Sequence, residues 1–409
     1  MEEKKGMQTY KVVILVFVSI FVTALFTTFT MLFVSASIIG NNSNNPLYNV
    51  GTTEKSEDIS AELSKFRNVI DKYYLWDVDD EKLKEGAIKG YIEGLGDPYT
   101  EYISKEDMKS YTENIMGNFV GIGIYMAKNT DVNLVEIISP IKNSPAEKAG
   151  IQPGDFIKKV NGKEYTADDL NTISEIIKGE EGTTVNIEIL RGSETLTFNI
   201  KRETIKVNQI EGEVLEGDIG YIQVPSFDEY TSKDFKAKFE ELQRKNIKSL
   251  IIDLRNNGGG IVTEALGIAD LIADKGSVLL YTVDKNNNEK TEKSSNNPII
   301  NMPIVVLVNG NTASSSEILS GALKDLGKAT IIGTKTYGKG VIQNILTLND
   351  GSGIKITSEE YQTPKRNKIN KVGIEPDEVV ELPETVKNVL NIDKSEDTQL
   401  QKAIEKLKK

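Results

Sequence analysis

Pro303-Ile304-Val305-Val306-Leu307-Val308-Asn309-Gly310-Asn311-Thr312-Ala313-Ser314-Ser315-Ser316-Glu317-Ile318-Leu319 reads as a buried strand, a sharp turn and the first turn of a helix. The run Ile304 to Val308 is apolar without a break and mostly β-branched, which suits a strand covered on both faces. After the turn, Ile318, Leu319, Ala322 and Leu323 recur at helical spacing. Three serines therefore sit at a helix start, where unpaired backbone N–H groups and the positive end of the helix dipole favour developing negative charge. That is a good place for a serine nucleophile. Serines are also common helix caps, so the stretch alone leaves both readings open.

A second stretch, Gly333-Thr334-Lys335-Thr336-Tyr337-Gly338-Lys339-Gly340-Val341-Ile342-Gln343, begins like a phosphate-binding loop. That reading fails on two counts. Gly340 stands where a Ser or Thr would hold Mg²⁺, and Val341 to Leu348 alternates like a strand instead of opening a helix. Lys339 needs another use. The chain has no His and no Cys, which rules out a Ser-His-Asp triad, a Cys nucleophile and any His- or Cys-ligated metal site. A serine nucleophile here requires a different base, and lysine is the known variant. Its ordinary pKa is about 10.4, so it serves only where burial disfavours the charged form.

With these residues in place, Asn-Gly-x-x-Ala-Ser-x-Ser-Glu-Ile followed by Gly-x-Lys-Thr-Tyr-Gly-Lys-Gly-x-x-Gln resembles the C-terminal processing peptidases, or tail-specific proteases. The resemblance implies a catalytic Ser–Lys dyad, Ser314 and Lys339, with Gln343 orienting the lysine. The spacings, 25 (339 − 314) and 4 (343 − 339), fit that pattern. Ser315 replaces the family's usual Ala, which leaves Ser315 and Ser316 as competing candidates. By the same resemblance, Asp253-Leu254-Arg255-Asn256-Asn257-Gly258-Gly259-Gly260 carries the oxyanion hole. The Gly259 N–H is one donor, with Gly260 the alternative, and the Ser315 N–H is the other. Gly258 stands where the family has Pro, and a looser loop is expected.

Phe119-Val120-Gly121-Ile122-Gly123-Ile124, with Ser144-Pro145-Ala146-Glu147-Lys148-Ala149-Gly150-Ile151-Gln152-Pro153-Gly154-Asp155 and Val160-Asn161-Gly162, resembles a PDZ domain. Val120, Gly121, Ile122 and Gly123 are its expected peptide-binding residues. The loop would offer backbone N–H groups to a terminal carboxylate, and the following strand would pair with the peptide by edge addition. Thr166 to Ile177 is the expected helix on the far side of the groove.

Val12 to Ile39 is uncharged and long enough to cross a bilayer, which takes about 20 residues. Lys4, Lys5 and Lys11 precede it, and no charge follows until Glu54. This places the N-terminus in the cytoplasm and the bulk of the chain outside, on a single-pass cell-membrane anchor. Cleavage after Ser35-Ala36-Ser37 is the alternative.

The expected organisation is 1–11 cytoplasmic, 12–39 transmembrane, 40–55 linker, 56–118 helical, 119–204 PDZ, 205–382 serine protease core and 383–409 a charged C-terminal helix. The fold class is α/β, more fully α+β multidomain. The family implies a crotonase-like protease core with an inserted PDZ domain. The C-terminal helix is a candidate for packing between subunits of a homo-oligomer, or is simply solvated.

The net charge of −12 without basic clusters argues against nucleic acid. Without cysteine, the sequence does not report a redox compartment. No cofactor and no metal enters this reading, and the expected partners are proteins or peptides with accessible C-termini. The competing reading is an inert membrane-anchored PDZ scaffold; intact Ser314, Lys339 and Gln343 argue against it.

Overall fold

The computed structural model describes residues 59–207, 209–383 and 392–408. The expected membrane segment 12–39, the N-terminus before it and the linker after it lie outside these. Among the described residues no helix is long and apolar enough to cross a membrane. The chain divides into two units, Met1–Asp80 and Glu81–Lys409. The first contributes helix α1 (Ile59–Tyr73), none of whose residues is buried. Of the apolar residues that recur along it at helical spacing, Ile59, Leu63, Phe66 and Tyr73 are exposed and Ile70 is half-buried.

In the second unit, α2 (Asp80–Glu93) leads to a short strand, β1 (Glu101–Ile103), and then α3 (Lys105–Met116). The Ser104 hydroxyl accepts the Asp107 N–H at 3.1 Å, and Gly117 closes α3 at φ 65°. The sequence pattern reads this whole region as helical. Three residues are too few to show a strand period, and β1 exists because a distant strand pairs with it.

The next module begins with β2 (Asn118–Gly121), β3 (Ile124–Asn129) and β4 (Leu134–Pro140), followed by the short helix α4 (Pro145–Ala149). It continues with β5 (Asp155–Val160), β6 (Lys163–Glu164), α5 (Leu170–Ile177), β7 (Thr184–Arg191), β8 (Glu194–Lys201) and β9 (Glu203–Lys206). An antiparallel sheet in the order β3-β4-β5-β7-β8 closes over Ile137, Ile157, Ile173, Ile187 and Ile189, all fully buried. Strands β2 and β9 pair and clasp the module's two ends. Strand β3 is an edge, with α5 packed beside it.

The remaining elements are β10 (Glu211–Leu215), β11 (Ile219–Gln223), α6 (Thr231–Gln243), β12 (Ser249–Asp253), α7 (Val262–Asp270), β13 (Val278–Asp284) and β14 (Glu289–Lys293). They are followed by β15 (Ile304–Val308), α8 (Ser315–Asp325), β16 (Thr330–Gly333), β17 (Val341–Thr347), β18 (Gly353–Gln362), β19 (Glu378–Val379) and α9 (Thr398–Leu407). One sheet runs β10-β11-β12-β15-β16-β19 and is parallel from β11 onward. Every residue of β12 and β15 is buried. Ile252 and Val306 face Phe235, Phe239 and Leu319 on one side. Ile251, Val305 and Leu307 face Leu400 and Ala403 on the other. This is why the strand sequences are apolar throughout. A second, antiparallel sheet is built on the long β18, which pairs with β17, β13 and β1.

Over 383–409, where a charged helix is expected, the described residues are helical only in their last part. In its described part the helix begins only at Thr398, capped by Asp397, and buries Leu400 and Ala403 against its own chain's parallel sheet. Burying one leucine is worth about 2–3 kcal/mol, so that face is committed within the chain. Residues 384–391 lie outside the described set.

Candidate functional site

Ser314 stands between β15 and α8 with φ 57° and ψ −120°. A positive φ at a residue with a side chain costs about 1–3 kcal/mol and persists only where the surroundings enforce it. Here they do. Its N–H donates to Glu317 Oε2 at 2.9 Å. Its carbonyl accepts the Tyr361 hydroxyl at 3.0 Å and the Glu317 and Ile318 N–H groups at 2.7 and 3.0 Å. The incoming turn is fixed as well: Thr312 Oγ1 donates to the Leu254 carbonyl at 2.9 Å, and the Ala313 N–H to that of Asn257 at 3.0 Å.

The three serines separate by environment. Ser315 and Ser316 are fully buried, and their hydroxyls donate to the Gly260 and Asn257 carbonyls at 2.8 and 3.0 Å. Ser314 is half-buried, and its hydroxyl donates to no group of that loop.

Lys339, just ahead of β17, is brought to the same place by its main chain. Its N–H donates to Glu317 Oε2 at 2.9 Å, and its carbonyl accepts the Tyr361 hydroxyl. Its side chain is half-buried, with Nζ 4.9 Å from the centre of the Tyr99 ring. Burial holds the amine below the ordinary lysine range, helped by the like charge of Lys355 and opposed by Asp97, Glu101 and Glu317. Among the described residues, Nζ and the Ser314 hydroxyl are not hydrogen-bonded to each other. Gln343 Nε2 lies 3.4 Å from both the Val341 carbonyl and Thr357 Oγ1 and does not bond Lys339.

Glu317 is the hub. It is fully buried, and its two oxygens accept four donors: the Ser314 and Lys339 N–H groups, the Gly338 N–H at 2.8 Å and the Thr336 hydroxyl at 2.5 Å. Four donors and no acceptor is the pattern an ionised carboxylate takes. In the sequence Glu317 reads as part of a helix start. The available signal was the Ser-x-x-Glu spacing of a capping box, which carries no hint of the second chain segment it binds. Tyr361 reads only as a strand residue, and Asp97 and Tyr99 only as a turn.

The glycine loop lies against the serine. Gly259 has φ 104°, and a Cβ there would sit 2.7 Å from Ser314 Cβ and 3.1 Å from the Ser315 nitrogen. The Gly259 N–H donates to Asn257 Oδ1 at 2.8 Å. The Ser315 N–H has no acceptor among the described residues. Gly258 has open space where a Cβ would be, so nothing at that position demands glycine.

In the other module, the Val120, Ile122 and Gly123 carbonyls are taken by the Gly179, Ala146 and Ile141 N–H groups at 3.3, 2.9 and 2.9 Å. The Ile122 and Gly123 N–H groups have no acceptor among the described residues. Gly121 is buried, and Gly123 has φ 78° with Ser144 Cβ 2.5 Å from where its own Cβ would be.

Residues 218–380 match peptidase family S41, residues 120–201 a PDZ domain, and residues 23–107 the activating protease CtpB N-terminal domain. The carboxy-terminal processing protease CtpA of Bacillus subtilis (strain 168) is 37% identical over 374 residues, covering 91% of this chain and 78% of that protein. A probable CtpA-like serine protease of Staphylococcus saprophyticus is 36% identical, covering 91% of this chain and 73% of that one. Among solved structures, a photosystem II D1 C-terminal processing protease matches with 29% identity and a TM-score of 0.48, over 84% of this chain and 90% of its own.

Proposed function

The chain belongs to peptidase family S41, the C-terminal processing proteases, and on that premise we propose that Ser314 is its nucleophile and Lys339 its base, working from the outer side of a cell membrane. A serine endopeptidase with a PDZ domain is what the family makes it. The residue roles and the location are the further step.

One observation carries the assignment. Glu317 and Tyr361 each bond the main chains of both Ser314 and Lys339, so the two residues are mounted on one rigid frame. The lysine is also partly withdrawn from water, which lets its amine lose a proton. The hydroxyls of Ser315 and Ser316 are tied into the fold, which favours Ser314 as the attacking group.

In the reaction, Ser314 Oγ attacks the scissile carbonyl while its proton passes to neutral Lys339 Nζ. The charged oxygen forms beside the Ser315 and Gly259 N–H groups. Collapse releases the amine product, which takes the proton from Lys339, and leaves an acyl-serine. Lys339 then takes a proton from water as that water attacks the acyl group, and passes it to Ser314 Oγ as the acid product leaves, which restores both residues. Before the first step the Lys339 amine closes on the serine while keeping the face of the Tyr99 ring on one side, and the Gly259 N–H is released from or shared with Asn257. Gln343, on β17, orients the lysine once it has moved. Val120 to Gly123 and the edge of β3 capture the substrate's C-terminus, and the uncharged run 12–39 anchors the chain.

The deciding experiment compares Ser314→Ala and Lys339→Ala with the parent on an unstructured polypeptide, alongside labelling by a serine-reactive phosphonate. Both variants should lose cleavage, and the label should map to Ser314. Wild-type rates in either variant, or a label on Ser315 or Ser316, refute the assignment.

A further inference from the structure

The turn Gly96-Asp97-Pro98-Tyr99-Thr100 precedes the peptide-binding module by some twenty residues, and the family chemistry assigned above gives it no task. Yet the structure builds it into the sheet that carries Lys339. Strand β1 follows the turn directly and pairs with β18, setting Glu101 opposite Lys355 and Tyr102 opposite Ile354. The Thr357 N–H, on β18, donates to Thr100 Oγ1 at 3.1 Å. Gln343, on β17, reaches the same Thr357 through its hydroxyl. The turn, the orienting glutamine and the base therefore sit on or beside three neighbouring strands.

Inside the turn, the labour divides by residue. Asp97 closes it: Oδ2 accepts the Thr100 hydroxyl at 2.6 Å and Oδ1 the Tyr99 N–H at 3.1 Å. Burial pushes the Asp97 carboxyl up, but those hydrogen bonds and the charge of Lys339 outweigh it and leave it below the usual range. The Tyr99 ring makes none of the closing bonds. It faces Lys339, whose Nζ lies 4.9 Å from the ring centre. Burial pushes its phenol up, so the ring is a neutral π face and not a second anion.

We propose that Tyr99 is a positioning residue for the reaction: its ring face seats the Lys339 amine and sets the pH range over which that amine works as a base. An aromatic face attracts an ammonium and excludes water from one side of it. The first effect favours the charged amine and the second the neutral one. The groups around that amine are Lys355 on β18, Asp97 in the turn, Glu101 on β1 and Glu317 on α8. Beside these four charged groups the Tyr99 ring supplies a contact without net charge, so it fixes position without adding to the charge balance. The inference rests on Lys339 being the base.

The test measures kcat, KM and the pH profile of kcat/KM for Tyr99→Leu, Tyr99→Phe and Lys339→Ala in the full chain, with Tyr99→Met as a second ringless variant. Leucine and methionine keep the site dry but remove the π face. Both should lower kcat about tenfold with KM within twofold, and both should move the acidic limb to lower pH, because a contact favouring the ammonium is gone. Phenylalanine keeps the face and should match the parent in both readouts. Ringless variants with parental kcat and an unmoved limb overturn the proposal, as does a rise in kcat, or a phenylalanine variant that falls as far as leucine. If Lys339→Ala retains activity, the base assignment fails and this inference with it. If that variant is dead while the ringless ones are normal, only the role of Tyr99 is lost.

Discussion

Ser314 and Lys339 donate their backbone N–H groups to the same atom, Oε2 of Glu317, each at 2.9 Å. The Tyr361 hydroxyl bridges their carbonyls. Their main chains are thus held by shared partners, while the two side chains proposed to do the chemistry take no part in those bonds. Glu317→Gln removes the charge and turns an NH₂ toward two of the four donors, whichever way the amide faces. Each buried donor left facing another donor costs about 1–3 kcal/mol. The variant should lose about 2–4 kcal/mol in urea unfolding and most of its activity. A loss below about 0.5 kcal/mol would show that Glu317 does not hold the frame.

As the proposed base Lys339 must be neutral to accept the serine proton, so kcat/KM should rise with pH along a limb below the ordinary lysine value of about 10.4. Lys355 pushes the Lys339 amine further down by like charge and is itself paired with Glu101, which pulls the other way. Lys355→Met removes the first effect and releases the second. Both changes favour the ammonium, so the limb should move to higher pH. Activity should fall near neutrality and recover in alkali. A limb that stays put or moves to lower pH contradicts this electrostatic account.

How much of this was legible in the chain itself depends on distance along it. The strand Ile304 to Val308 and the helix after it follow from local apolar period, and they fall where that period puts them. Ser314 and Lys339 stand in recognisable local strings. Glu317 stands in such a string too, but its function is to bind Lys339 and Gly338 from another segment, which no local period encodes. Arg255 and Asp397 make the same point more strongly. Their buried ion pair, at 2.8 Å, spans most of the protease core and reaches into a segment that reads in isolation as a charged surface helix. Strand β1 was hidden for the opposite reason: it is too short to carry any period and is specified by its partner β18.

Gly259 and Gly258 are adjacent yet make opposite demands. Alanine at 259 would need φ 104° and would press on Ser314 Cβ at 2.7 Å, whereas at 258 a Cβ meets nothing. Gly259→Ala should leave a folded protein whose kcat falls about 10²–10³-fold, the scale of losing one oxyanion donor. Gly258→Ala should match the parent. Parental kcat in Gly259→Ala would remove this loop from the site.

The Arg255 guanidinium is fully enclosed, with Asp253 Oδ2 at 2.6 Å on one side and Asp397 Oδ2 at 2.8 Å on the other. Asp397 also caps α9 by accepting the Leu400 N–H at 3.0 Å. Breaking one arm of a buried pair costs about 3–5 kcal/mol. Asp397→Ala should therefore lower stability by roughly that much in urea and unseat α9 from the parallel sheet. Because Arg255 leads directly into the glycine loop, kcat should fall as well. Asp397→Asn retains the cap and one hydrogen bond to Arg255, and should recover part of both losses. Equal stability of the alanine variant and the parent would mean that α9 is held by its apolar face alone.

The peptide-binding module makes a prediction that separates capture from chemistry. Strand β3 is an edge, the Ile122 and Gly123 carbonyls are turned inward to bond the module's own backbone, and their N–H groups have no acceptor among the described residues. A terminal carboxylate offers the charge and lone pairs those donors lack, whereas a terminal amide offers one neutral acceptor and brings donors of its own. A fluorescent peptide with a free C-terminus should therefore bind at least about tenfold more tightly than its amidated twin, a difference of about 1.4 kcal/mol. Ser314→Ala should show the same preference, because the groove makes no use of the serine. Anisotropy titrations in both proteins measure this directly, and equal affinity for acid and amide would mean that the loop 120–123 does not read the carboxylate.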